Sequence, residues 1–200
     1  HLSVPWLAVE YGRLVEAGRR FESLATSHAG WGNEWTAILI AAGCQRTFGD
    51  GLETASANAA IRHLVLDENN PSSIRYSFAT ARGNARAQRV AVTAGLWEAL
   101  NTAWRETRLL EEQDISQGNL SQLMERMRAH SSLFRGEVEG SLLRNAGYWF
   151  VTLGQLIERS DATARLLDVK YHVLLPENEG LDSARDQLQW THLLRAAGVK

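Results

Sequence analysis

The chain repeats part of itself, and any fold it adopts has to accommodate that. From Arg13 it runs RLVEAGRRF and later NEWTAILIAAGC; from Arg165 it runs RLLDVKYHV and later LQWTHLLRAAGV. Trp35-Thr36 corresponds to Trp190-Thr191 and Ala41-Ala42-Gly43 to Ala196-Ala197-Gly198, at offsets of 155 residues at the tryptophan and 152 at the arginine. Two hundred residues therefore hold about one and a third copies of one unit,. The division expected is residues 1–147 for most of a first copy and 148–200 for the start of a second, truncated one, packed as one compact helical unit. A second copy that stops so early, and a start without methionine, suggest a fragment.

The repeated unit reads as helix. In GLWEALNTAWRETRLL the residues Leu96, Leu100, Ala103, Trp104, Thr107 and Leu110 recur at three- and four-residue steps, which gathers them on one helical face,. Trp97 and Trp104 fall near that side, where core anchors are expected. No alternation of period two lasts long enough for a strand. Helices are expected near 5–26, 32–43, 52–66, 71–91, 93–111, 119–135, 141–175 and 183–197. Asn70 should cap one of them with Pro71 in its first position, and Phe48-Gly49-Asp50-Gly51 reads as a loop. Gly140, Gly147 and Gly154 are spaced by seven. On one helix they would form a smooth groove for a neighbour, the alternative being a break at Gly140 or Gly147. The fold class is all-α, a multi-helix bundle built from a tandem repeat.

Composition narrows the function. A formal net charge of −2 with interleaved signs gives no footprint for nucleic acid or an anionic membrane,. The single cysteine, Cys44, excludes an internal disulfide framework and a cysteine zinc site,. It fits a reducing cytoplasm, and its apolar surroundings make an inert buried thiol the default. No apolar run is long enough to span a bilayer. Phosphate-loop, dinucleotide-loop and nucleophile-elbow patterns are missing from the sequence,. So are His-Glu-x-x-His and the Glu-x-x-His pairs of di-iron bundles, so neither metal nor cofactor is expected,.

The polar chemistry concentrates in YWFVTLGQLIERSDATARLLDVKYHVLLP, residues 148–176. Steps of three and four place Gly154, Glu158, Asp161, Arg165, Asp168 and His172 on one side of a helix. Beside them run Phe150, Leu153, Ile157, Ala164, Leu167, Tyr171 and Leu174, the stripe expected to face the core,. Asp161 and Arg165 stand in the favourable acid-first order, worth about 0.2–0.5 kcal/mol if solvated. Were Glu158 turned inward it would need partners. Arg82, Arg86 and Arg89, with Arg75 above them, form a guanidinium stripe that could supply them, bind an anion or stay solvated. The candidate ligand site or polar cluster is therefore Glu158, Arg159, Asp161, Arg165, Arg82, Arg86 and Arg89. His172 reads as a surface histidine.

Leu142 to Pro176 closely resembles the alpha-E family of bacterial proteins, all-helical, usually tandemly duplicated and marked by a Glu-Arg motif. The resemblance extends to Asn70-Pro71-Ser72-Ser73-Ile74, to Arg82, Asn84, Ala85, Arg86 and Arg89, and to Arg135-Gly136. Glu158-Arg159 stands where the family's pair belongs, followed by Asp161, Thr163, Ala164 and Arg165. There are two departures: Trp6 and Leu7 occupy the place of a first-copy Glu-Arg, and Ala146 the place of a common acidic residue. The resemblance implies an accessory component of a bacterial peptide synthesis or modification system. An ATP-grasp ligase or a transglutaminase-like protein would be the partner, with the ATP chemistry residing in the ligase. Three roles follow as expectations: a non-catalytic interaction or substrate-presenting module, an enzyme using Glu158 as general acid or base, or a scaffold in which the Glu-Arg pair specifies the fold. The last helix, around Trp190, Leu193 and Leu194, is expected to expose apolar surface.

Overall fold

A computed structural model describes residues 34–116 and 118–172, together with 187, 190, 191 and 194. Among the described residues there are seven α-helices and no strand: α1 (Glu34–Ala41), α2 (Gln45–Phe48), α3 (Ala57–Val65), α4 (Ile74–Ala87), α5 (Ala94–Arg108), α6 (Leu120–Ser141) and α7 (Ala146–His172). The helix expected near 5–26 and most of that near 183–197 lie outside the described residues. So does the comparison of the two copies that the repeat invites.

Short polar side chains set the helix starts. Ser56, Ser73 and Thr93 each accept a hydrogen bond from the backbone N–H three residues on, at 3.3, 3.0 and 3.3 Å, which satisfies one of the orphan donors of the first turn,. Asn145 does the same for Tyr148 at 3.3 Å. The cap expected at Asn70 is therefore displaced by three residues to Ser73. Asn70 is buried and its amide is used elsewhere: Nδ2 donates to the His63 carbonyl at 2.9 Å, and Oδ1 accepts from the Ser72 N–H at 3.0 Å. Phe48 to Gly51 is not a plain loop either. α2 ends at Phe48 and a 3-10 turn continues from Gly49 to Thr54.

α1 ends in a Schellman arrangement that accounts for its Ala-Ala-Gly. Cys44 N–H donates to the Leu39 carbonyl and Gly43 N–H to the Ile40 carbonyl, both at 2.8 Å,. Gly43 carries the positive φ of 70° that this turn requires,. The glycine groove is not formed, because α6 stops at Ser141 and α7 begins at Ala146, leaving Gly140 and Gly147 on different helices. The chain breaks there, the alternative that the heptad-spaced glycines also allowed.

α4 and α5 form an antiparallel hairpin and α6 packs back on α5, while α1 bridges α3 and α7. One core holds Leu39, Leu64, Phe78, Leu120, Leu123 and Met127, where α1, α3 and the first halves of α4 and α6 meet. A second, with Ala81, Leu96, Leu100, Phe134, Val138, Tyr148 and Val151, joins the far ends of α4 and α6 to the start of α7. Two polar devices pin these layers. Arg75 reaches across the hairpin to donate to the carbonyls of Thr107 and Leu110, satisfying the end of α5,. Glu106 of α5 accepts from Arg126 at 2.7 Å and lies 2.6 Å from His130 Nε2, both on α6.

Candidate functional site on the Glu-Arg helix

α7 turns a different face inward from the one its apolar pattern predicts. Tyr148 and Val151 are its buried side chains among those described, and Thr152, Gly154, Gln155, Glu158 and Ala162 are half-buried along the same side. Phe150, Leu153, Ile157 and Leu167, expected to face the core, are instead exposed to 73%, 50%, 57% and 44%. Trp149 at 59% and Leu156 at 57% belong to this outer face as well. The physical reason lies in what α7 rests on. It meets α1 and the ends of the second core, whose narrow contact is filled by Tyr148 and Val151. The wider apolar stripe has no described helix opposite it. The side chains of Tyr171 and His172 lie outside the described residues.

The polar stripe sits at the edge of that contact. Arg165 Nε donates to Asp161 Oδ2 at 2.7 Å, the four-apart pair read from the sequence. Its guanidinium also lies against the C-terminal turn of α1: Nη1 is 3.0 Å from where a Cβ on Gly43 would stand. A cation there faces the carbonyl end of the helix dipole. It also acts on Cys44, whose thiol pKa is pushed up by burial and pulled back by hydrogen bonding from Asn70, Thr47 and Ser72 and by the Arg165 charge. Arg165 thus ties α7 to α1. Glu158, on the inward side, is half-buried and makes no hydrogen bond or ion pair with a described residue. Arg159 is exposed and is not free of partners.

The arginines of α4 and of the turn after it do not meet the Glu158 carboxylate. Arg82 Nε donates to Asn101 Oδ1 at 2.7 Å, and its guanidinium lies 3.9 Å from the ring centroid of Trp104 and 5.5 Å from that of Trp97. Arg89 stacks at 5.4 Å on Trp97 and donates to the Val92 carbonyl at 2.9 Å, while Arg86 is exposed. Trp97 and Trp104, expected as core anchors, are half-buried and form the floor beneath these cations. No ion pair among the described residues joins this stripe to Glu158 or Asp161. The candidate residues accordingly form two groups: Glu158, Arg159, Asp161 and Arg165 on α7, and Arg82, Arg86 and Arg89 on the α4–α5 hairpin.

Two features escaped the sequence reading. The first is a polar knot under α1. His63 Nδ1 lies 2.8 Å from Asp67 Oδ2 and its Nε2 lies 3.0 Å from Thr47 Oγ1. Asn70 Nδ2 donates to the Cys44 sulfur at 3.5 Å. The four-residue interval from His63 to Asp67 was the available signal. The order hydroxyl, imidazole, carboxylate is that of a nucleophilic triad, but here Thr47 also donates to the Cys44 carbonyl at 3.2 Å and the group braces buried turns. The second is another Glu-Arg, Glu125-Arg126 on α6, in which Arg126 pairs with Glu106 and Glu125 with Arg128, both at 2.7 Å. Among the described residues no cluster of histidine, cysteine or carboxylate could hold a metal ion, and no helix is long and apolar enough to cross a membrane.

Among the described residues the bundle has no strand and its longest helix carries a Glu-Arg step at the edge of its packed face, which marks an all-helical domain of the Glu-Arg type. The family model described as a predicted alpha-helical domain with a conserved ER motif, Alpha-E, matches residues 7–199, and the chain belongs to that family. No curated protein and no solved structure matches the chain.

Proposed function

We propose that this chain is a non-catalytic, all-helical interaction module serving a bacterial peptide synthesis or modification assembly in the cytoplasm, with an ATP-grasp ligase or a transglutaminase-like protein as its partner. The partner class comes from the family resemblance. The observation that carries an interaction role is the outer face of α7, where Trp149, Phe150, Leu153, Leu156 and Ile157 are each at least half exposed beside Glu158-Arg159. Contiguous apolar surface of this kind is the mark of an interaction site in a water-facing protein. Co-purification of the full chain with an ATP-grasp ligase tests the reading. Complex formation is expected, and Phe150→Glu with Ile157→Glu should abolish it without loss of helicity. A ligase that stays fully active and never associates overturns it.

Glu158 itself favours a second reading. A half-buried carboxylate with no described hydrogen-bond partner is available to move a proton, as a general acid or base in amide-bond chemistry requires,. Arg159 and Arg165 would then hold an anionic group of the substrate. Undiminished pathway activity in a Glu158→Gln variant eliminates this reading and leaves the first intact.

A further inference from the structure

The α4–α5 hairpin carries an unusual concentration of one charge. Between Glu68 and Glu106 the sequence holds five arginines and a single carboxylate, Glu98. Because the hairpin is antiparallel, Arg89 reaches Trp97 while Arg82 reaches Trp104, and Arg108 covers Trp104 at 4.9 Å. The result is a ladder in which cation and indole alternate: Arg89, Trp97, Arg82, Trp104, Arg108. Arg86 lies on the same side of α4 as Arg82 and makes no hydrogen bond, ion pair or ring contact with a described residue. None of these four arginines is paired with a carboxylate among the described residues. Of the carboxylates nearby, Glu106 is spent on Arg126 and His130, and Glu98 is exposed and pairs with none of these arginines.

Stacking matters for what such a surface can still do. A guanidinium lying on an indole has its face occupied, but its N–H donors point outward in the ring plane, so they remain free for an acceptor. Arg82 spends only Nε, on Asn101, and keeps the fork formed by its two terminal nitrogens. The stack also holds each side chain in place, which lowers the ordering cost of binding.

We propose that this face docks an acidic polypeptide segment, with carboxylates received by Arg82, Arg86, Arg89 and Arg108. Charge complementarity identifies the class of occupant, and the tryptophans decide against a nucleic acid. Single strands are held by bases stacking on open aromatic faces, whereas Trp97 and Trp104 are already covered by arginine. Arg82 and Arg86 stand four residues apart on one face of α4, about 6 Å along its axis,. Carboxylates two residues apart on one side of an extended peptide, about 6–7 Å from each other, would match that spacing. The site uses none of the exposed α7 residues and does not depend on the ligase assembly.

Fluorescence anisotropy of a labelled octaglutamate peptide against the full 200-residue chain tests the proposal. Saturable binding is expected that weakens with salt and is not competed by octaglutamine. Arg86→Glu combined with Arg108→Glu, both exposed and without a hydrogen bond to a described residue, should weaken it at least about tenfold with an unchanged thermal melt. Arg82→Lys keeps the charge but loses the fork, and should weaken it as well. Absence of binding, equal binding by the double variant, or tighter binding of an oligothymidylate each overturns the proposal, the last assigning the face to nucleic acid.

Discussion

The α4–α5 hairpin and α7 use similar residues to opposite ends. Half the length of α7, α4 buries Ile74, Ser77, Phe78, Ala81 and Ala85, and sets Arg75 and Arg82 into defined contacts across the hairpin. α7 runs for 27 residues and buries only Tyr148 and Val151 among its described side chains. Its apolar stripe is as regular as that of α5, yet it looks outward. Period alone says that a helix has something to bury; which surface does the burying is decided by the neighbours. In the hairpin those neighbours lie within the described fold. On α7 they do not, and that is why the interaction reading rests there.

Two truncations of the same chemistry break or sharpen this contrast most directly. Phe78 of α4 is fully buried, with its ring edge-on to that of His130 on α6. Phe78→Ala should cost about 3–5 kcal/mol in urea unfolding, from lost transfer energy and the cavity left behind. Phe150→Ala, at 73% exposure, should stay within about 0.5 kcal/mol. Comparable losses at the two sites would mean that the outer face of α7 is covered in solution. Next in size is the junction between the regions. Gly43→Ala forces a side chain into φ 70° and against the Arg165 guanidinium, and should destabilise by about 1–2 kcal/mol in the same assay.

The neighbouring Cys44 provides a pH test of that junction. Burial raises its thiol pKa above the ordinary 9.0. In the unfolded chain the thiol ionises near that ordinary value, so the native state holds its proton more tightly. This contribution is fully present below pH 9.0 and is lost as pH rises from there through the folded-state value,. Stability should fall faster above that pH in the native chain than in Cys44→Ala, and alkylation of Cys44 should wait for unfolding.

Much of the fold was legible because it depends on local chemistry. Helix periodicity, the Ala-Ala-Gly end of α1 and the Asp161–Arg165 step are all settled within a few residues. What was missed depends on partners distant in sequence. Nothing local says that Asn70 turns inward to His63 and Cys44 and leaves the capping to Ser73. Nor does spacing reveal that Trp97 and Trp104 bed arginines instead of filling a core, since a tryptophan with one open edge has the same period as a buried one. The candidate site was half legible for the same reason. The stripe from Glu158 to Arg165 shares an edge of one helix as read, while the Arg82 stripe, legible as a stripe, was offered to a carboxylate that lies elsewhere.

The smallest effects probe the Glu-Arg helix itself. Asp161→Asn removes an exposed four-apart ion pair and should cost about 0.2–0.5 kcal/mol, shrinking with added salt. Glu158→Gln should change stability still less. The side chain is half-buried and no described cation pairs with it, so replacing the carboxylate by its amide leaves no partner charge stranded. A fold-specifying buried pair would behave otherwise, because removing one member of such a pair costs about 3–5 kcal/mol. A thermal and urea comparison of the native chain with Glu158→Gln therefore separates the two. A loss on that scale would place an arginine against Glu158 in solution and turn α7 from a presenting surface into a second fixed face like the hairpin. A melt that does not move, joined to any change in partner binding or pathway activity, would locate the purpose of the Glu-Arg step outside the fold.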